Sequence, residues 1–246
     1  MRKYLLSVIM FFSVIVVSAQ KKVSRINRFV DLTGTIGKSQ GTAAASYVHN
    51  WKIGKRKKWE AGLGFRWTTY FGVKTDFTTA PARLARTSTV PFLIFFAGQR
   101  TDYHDTLTVQ RPLTHSANIS INLGYNFTKK WYAGFNIDLI GFTFGRESSA
   151  ILTSNGSTKI EPMAKPAAFN VLLTGDHDRG SLNSEFFVKY RITPRWGVKA
   201  VYQFVFVEYK TENIDQIAPD GTVNNRFRNK ANTIGLGVSY NFKTKK

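Results

Sequence analysis

Eight polar residues fall where two-residue alternation would put them on one face of extended strands: Asp31, Glu60, Arg66, Asp138, Glu185, Lys189, Lys199 and Gln203. Carboxylates, ammoniums and a guanidinium confined to one interior have two uses. They can neutralise one another as a structural network, because a buried charge without a partner is costly. Alternatively they line a gated polar path, with Arg66 or Lys199 as its selective element. A second set lies outside the alternating runs, with Asp102, His104 and Asp105 in one cluster and Asp176, His177 and Asp178 in another. Imidazole and carboxylate suit a divalent ion, but neither cluster has the spacing of a zinc site or a calcium loop. These six are metal candidates on residue type alone, and neither a metal nor a cofactor is expected.

Acyl-transfer chemistry would need a histidine and a serine facing the same way with an acid nearby. His115 and Ser116 are adjacent, so on a strand they point to opposite faces. His49 shares its face with Tyr47 and Trp51 and reads as an interfacial residue. His104 and His115 are the histidines to test first if an enzyme is sought. The chain has no cysteine, which removes thiol catalysis and disulfide stapling.

The elements that would position these residues are strands. Three times an alternating run reaches a short turn with basic residues, and the next run opens on tryptophan: Lys55-Arg56-Lys57-Lys58-Trp59, Thr128-Lys129-Lys130-Trp131 and Thr193-Pro194-Arg195-Trp196. Eight strands can be drawn, over about 29–38, 42–51, 59–71, 115–127, 131–144, 181–191, 196–209 and 231–242. At the usual tilt, most are long enough to cross a bilayer. The Trp-marked turns lie on one side, while three long connections, about 72–114, 145–180 and 210–230, lie on the other. Val90–Ala97 and Thr106–Val109 suggest a hairpin rising above the rest, or two further membrane strands and a count of ten. The connection around Pro162 and Pro166 reads as a loop.

Alternation alone leaves open which face is buried, and volume decides it. An inward apolar face would crowd Trp59, Phe65, Trp67, Trp131, Phe135, Trp196, Phe204 and more into a space barely wide enough for ordinary side chains. The polar face, rich in Gly, Ser, Thr and Asn, fits a narrow filled lumen. The apolar face therefore looks out at lipid, with Trp51, Trp59, Trp131, Trp196, Tyr240 and Phe242 as an interfacial girdle.

Residues 1–19 read as a signal peptide with Arg2 and Lys3, an apolar stretch from Leu5 to Val17, and a small-residue end at Ser18-Ala19. That leaves 20–246 as one all-β domain, exported by the Sec route. The formal charge is +20, of which Arg2 and Lys3 contribute two. In an exported chain such charge points away from nucleic acid and toward lipopolysaccharide phosphates.

The Ser18-Ala19-Gln20 end, the Trp-marked turns, the run Gly134–Phe142 and the aromatic final strand make this chain resemble the small outer-membrane β-barrel proteins of the Bacteroidota type, relatives of the eight-stranded OmpA-like barrels. The resemblance implies an antiparallel up-and-down transmembrane β-barrel in a Gram-negative outer membrane. It also implies insertion by the barrel-assembly machinery, which reads an aromatic final strand. Here Phe242 is followed by Lys243-Thr244-Lys245-Lys246, a departure from that ending. The expected function is non-enzymatic. The exposed loops would serve envelope structure or adhesion, or bind an anionic surface lipid, an extracellular ligand or a partner. A lipid A-modifying barrel enzyme and a narrow solute channel are the alternatives.

Overall fold

A computed structural model describes residues 24–90, 96–154, 156–173 and 177–243. The expected signal segment, most of the Val90–Ala97 run, Asp176 and the last three residues lie outside the described residues. The strands, in chain order, are β1 (Ile26–Ile36), β2 (Gln40–Ile53), β3 (Trp59–Gly72), β4 (Lys74–Thr79), β5 (Thr106–Gln110), β6 (Leu113–Asn126), β7 (Trp131–Gly145) and β8 (Ser148–Ser154). They continue with β9 (Ser157–Pro166), β10 (Phe169–Val171), β11 (Asn183–Arg191), β12 (Trp196–Lys210), β13 (Gln216–Ile217), β14 (Val223–Asn224) and β15 (Arg226–Asn241). A single helical turn, α1 (Ala82–Ala85), follows β4. No helix among the described residues is long and apolar enough to cross a membrane.

The fifteen strands among the described residues exceed the eight expected, and the difference has a simple origin. Eight of them, β1, β2, β3, β6, β7, β11, β12 and β15, pair antiparallel in that order, and β15 pairs back onto β1. This closed ring has no free edge, as lipid requires. The other strands are shorter and arise inside the long connections.

Four of those shorter strands build a second structure. On the side away from the Trp-marked turns, β15 pairs with β4, β4 with β5, β5 with β8, β8 with β9, and β9 with β12. Since β12 and β15 pair with each other along their full length, these six strands also close on themselves. The chain thus builds a small six-stranded cap above the eight-stranded ring, with two strands shared. Thr106–Val109 belongs to this cap rather than to a membrane-crossing pair, and the connection around Pro162 contains the β8–β9 hairpin rather than a plain loop.

Side chains sort by layer inside the molecule. The middle of the ring is polar, but the cap holds a dry cluster that includes Tyr70, Phe77, Leu107, Val109, Leu152, Val207, Tyr209 and Phe227, all 2% exposed or less. Burying each such aliphatic or aromatic side chain is worth about 1.5–3 kcal/mol. Val201 and Val205, which break the alternation of β12, face inward. Val201, flanked on β12 by Lys199 and Gln203, joins Tyr132 and Phe187 within the polar layer, and Val205 joins the cap cluster above it. The lumen is therefore not polar throughout: one apolar cluster lies among its charges and another closes it above.

One further departure lies in β7. The pairing with β6 shifts between Ile119↔Ile140 and Ser120↔Asp138, a bulge that resets the pleat. Before it, Phe135 faces out. After it, Ile140, Phe142 and Phe144 do. The adjacent apolar pair Leu139-Ile140 marks the change of phase.

The outward face is apolar over its whole height. Leu32, Leu63, Phe65, Ile119, Leu236 and Val238 are all exposed. Leu236 lies near the middle of the membrane-crossing part of β15 and is 73% exposed. Leu236→Arg is expected to cost about 2–4 kcal/mol in a bilayer, read as a lower urea midpoint for unfolding from lipid vesicles. A change within about 0.5 kcal/mol, the size usual for water-exposed sites, would refute the lipid-facing assignment.

Candidate functional site

Six side chains from five strands form an unbroken chain of alternating charge across the lumen. Lys189 Nζ lies 3.3 Å from Asp31 Oδ1, and Lys199 Nζ lies 3.0 Å from Asp31 Oδ2. Lys199 Nζ also reaches Glu185 Oε1 at 2.7 Å. The other Glu185 oxygen is 4.0 Å from Arg66 Nη2, and Arg66 Nη1 is 3.4 Å from Asp138 Oδ1. Three cations thus face three carboxylates, each group nearly sealed from solvent. Charges so deeply buried are tolerated when they pair and their remaining valences find hydrogen bonds. Asn118 Nδ2 and the Asn183 amide donate to Asp138 at 2.9 and 3.1 Å. Lys189 donates to Ser239 Oγ at 2.6 Å and lies 3.5 Å from the centre of the Phe29 ring.

Glu60 and Gln203 do not join this chain. Glu60 sits nearer the Trp-marked turns, where its two oxygens accept from Asn27 and Asn126, each at 2.8 Å. Gln203 Oε1 lies toward the cap and accepts from Thr35 and Thr42 at 3.0 and 2.7 Å. Small polar partners such as Asn118, Ser239, Thr35 and Thr42 escape sequence reasoning, since nothing but their place on polar faces distinguishes them. Gly237 is another such residue. It pairs with Lys199 across β12–β15, and a Cβ there would come within 2.9 Å of Lys199 Cε and 2.7 Å of the Leu32 carbonyl oxygen. The bare glycine lets the lysine lie across β15 and reach β1.

The girdle has a repeated construction. Trp59, Trp131 and Trp196 each pair in register with a tyrosine on the neighbouring strand: Tyr125, Tyr190 and Tyr240. The ring centroids are 4.7, 4.9 and 5.0 Å apart. Tyr240 also stands edge-on to Phe242 at 5.5 Å, and Trp51 packs against His49 at 4.8 Å. Two of the turns share a hydroxyl lock. Thr128 Oγ1 accepts from the amides of Lys130 and Trp131, and Thr193 Oγ1 from those of Arg195 and Trp196, over 2.9–3.2 Å. Threonine three residues before tryptophan closes the turn and aims the indole.

The loop clusters disperse. His177 Nε2 is 3.2 Å from the Thr89 carbonyl oxygen, Asp178 Oδ1 accepts from the Leu173 amide, and Asp102 is exposed. Asp105 is buried beside Thr79. Among the described residues no three His, Asp or Glu side chains gather at metal-ligand distance. His115 points outward between Trp67 and Phe144 with Nδ1 3.0 Å from Thr69 Oγ1, while Ser116 is buried in the lumen.

Above the membrane, Glu208 organises a different cluster. Its carboxylate takes a bidentate pair from Arg226, at 2.8 and 2.9 Å, and a contact from Arg228 Nη2 at 3.3 Å. Both arginines also donate to the Asp178 carbonyl oxygen, which ties the third long connection to β12 and β15.

A closed antiparallel ring with a lipid-facing apolar belt and aromatic boundary defines an outer-membrane β-barrel. The chain belongs to the outer membrane protein beta-barrel domain family, whose model spans residues 7–242. It is similar to neisserial surface protein A, with 11% identity, 89% of this chain and 98% of that one covered, and a TM-score of 0.36. It is also similar to Ail, the attachment invasion locus protein of Yersinia pestis, in complex with the heparin analogue sucrose octasulfate (8% identity, 88% and 98% covered, TM-score 0.34). A third likeness is to the N-terminal β-barrel domain of Pseudomonas aeruginosa OprF (13% identity, 88% and 97% covered, TM-score 0.33). No curated protein matches the chain. The protein resides in the outer membrane.

Proposed function

We propose that this protein is a sealed, non-enzymatic outer-membrane barrel that works as a recognition platform, presenting its cap to anionic surface lipids or to an extracellular partner. The observation that carries the reading is the cap itself. Its dry core sits on top of the lumen, so the polar middle of the barrel has no aqueous continuation on that side. In outer-membrane barrels the short turns face the periplasm and the long connections face outward, which puts the cap at the cell surface. A pore built this way would need water in a layer of Phe77, Leu107, Leu152 and Phe227, each nearly inaccessible. The ion-pair chain beneath supports a structural rather than a conducting role, because every member is matched by an opposite charge.

Two measurements test the proposal. The purified protein in planar bilayers is expected to hold the baseline current under applied voltage. Stepwise ohmic conductance would overturn the sealed lumen and favour the solute channel. Lipid A from cells lacking and overexpressing the protein is expected to have the same acyl chains by mass spectrometry. A gained or lost chain would instead make the barrel an enzyme.

A further inference from the structure

At the end of the ring away from the cap, arginines hold both sides of the last residues of β15. The Phe242 amide donates to the Arg28 carbonyl oxygen at 2.9 Å, and the Asn241 amide donates to that of Arg195 at 2.7 Å. Phe29 is buried in the lumen, so the Arg28 side chain points outward. Arg28, Arg195 and Lys243 line an outward cleft of about 410 Å³ whose other walls are Tyr47, Tyr240 and Phe242. These rings are continuous with the girdle. Phe242 lies 6.3 Å from Tyr47 and 5.5 Å from Tyr240, and Tyr240 packs on Trp196 at 5.0 Å. Further along the same strands, toward the middle of the membrane, the outward face sinks into an apolar trough of about 1000 Å³. Its base is made of small residues, Gly34, Ala43, Ala45 and Ala200, beside Leu32 and Val238.

Charge and hydrogen bonding say what fits the cleft. Among the described residues its three cationic side chains have neither a hydrogen-bond acceptor nor an ion-pair partner, and Arg28 Nε is sealed from solvent without one. A buried donor in that state calls for an acceptor from outside the chain. The segments that build this end of the ring, 24–28, 50–60, 125–132, 190–197 and 240–243, contain one carboxylate side chain, Glu60, and segments 1–23 and 244–246 contain none. Glu60 is buried in the lumen, where Asn27 and Asn126 occupy its oxygens. An anion carried on a long apolar body matches both the cleft and the trough.

We infer that the cleft and trough hold one phospholipid of the inner leaflet, its phosphate among Arg28, Arg195 and Lys243 and its acyl chains along the trough. The short turns put this end of the barrel at the periplasmic face, where the leaflet is phospholipid. Guanidinium and ammonium groups make the stronger, charge-assisted class of hydrogen bond to phosphate, and basic side chains at a membrane surface attract anionic lipid. A lipid so placed lies across the β1–β15 pairing and ties the end of the last strand to the leaflet. The inference goes beyond the recognition-platform reading and is independent of what the cap meets.

The test uses the full protein in nonionic detergent, with phosphatidylglycerol as the probe and diacylglycerol of the same chains as the phosphate-free control, read by native mass spectrometry. Phosphatidylglycerol is expected to bind about tenfold or more tightly than diacylglycerol. The double variant Arg195→Gln, Lys243→Gln changes two exposed side chains and is expected to abolish that preference, while the unheated protein keeps its folded mobility on a gel. The single variant Lys243→Gln is expected to reduce the preference. The control variant Lys129→Gln, Lys130→Gln, at a different turn of the same end, is expected to leave it unchanged. Equal binding of the two lipids, or an undiminished preference in the cleft variants, would overturn the site. An equal loss in the control variant would overturn the cleft in favour of a diffuse positive field. Glycerophosphate is expected to compete only at far higher concentration, and competition at equal concentration would overturn the lipid as ligand and indicate a soluble phosphate.

Discussion

Asp31→Ala is expected to destabilise the barrel by about 3–5 kcal/mol, the cost of leaving a buried charge without its partner. Asp31 is the hinge of the ion-pair chain, since its two oxygens serve two different lysines. Those lysines are not equally exposed to its loss. Lys199 keeps Glu185 at 2.7 Å, whereas Lys189 keeps a neutral hydroxyl and aromatic rings. The penalty therefore falls mainly on Lys189. The check is the urea midpoint for unfolding from lipid vesicles, followed by the mobility of unheated protein on a gel. Adding Lys189→Met to the Asp31 variant is expected to recover much of the loss, because methionine fills a similar volume without a charge. A double variant no more stable than the single one would show that Asp31 acts through packing and not through its charge.

The second large effect belongs to the cap. Glu161 on β9 is fully buried and its carboxylate accepts from the amides of Met163, Glu212, Asn213 and Ile214 and from Asn213 Nδ2, over 2.7–3.1 Å. One carboxylate thus holds the connection between β12 and β13 against the β8–β9 hairpin. Burial pushes its pKa up, but the donations, led by those of Asn213, outweigh burial and hold the carboxyl below the usual glutamic acid range. The sign follows from linkage. A depressed pKa in the folded state contributes stability that is complete above the ordinary glutamic acid range and is lost as the pH falls through the folded value. Glu161→Ala is expected to remove on the order of 3 kcal/mol of local stability, seen as rapid amide exchange at 212–214 at neutral pH while the membrane ring keeps its protection. In the native protein the same amides are expected to lose protection selectively on acidification. Unchanged exchange in the variant would show that the connection is held by other contacts.

How much of the fold is legible in the sequence differs between the ring and the cap. The ring strands announce themselves because Trp59, Ala61, Leu63, Phe65 and Trp67, or Ile234, Leu236, Val238, Tyr240 and Phe242, alternate without interruption. Lipid imposes that regularity on a whole face. The cap strands face water on one side and a small core on the other, so they need only Phe77, or Leu107 with Val109, or Leu152. Among threonines, serines and lysines, so few apolar positions do not register as strands, and of the four only Thr106–Val109 suggests one. Their pairing is also non-local, with Phe227 meeting Thr79 and Tyr209 meeting Pro166. For the charged residues, the face was legible and the partners were not. Lys189 and Lys199 meet Asp31 across 158 and 168 residues, a proximity created only by closure of the ring. Of the two valines that interrupt the pattern of β12, Val201 packs among the charged residues and Val205 marks the ceiling of the polar layer.

The passage of Lys199 over Gly237 bears on how the barrel is finished. The closing seam is the β1–β15 pairing, yet β15 contributes no charge to the chain of ion pairs. Its neighbours on either side reach over it. Such a seam tests its own alignment. If β15 slipped by one residue against β12, its lumen and lipid faces would exchange. If it slipped by two, Ser239 would leave Lys189 and Gly237 would leave Lys199. A correctly aligned strand is the one that lets Lys189 and Lys199 reach Asp31 while Lys199 keeps Glu185. The register of the seam is thus tied to electrostatics, in a place where lipid offers a misaligned strand no water to hide in.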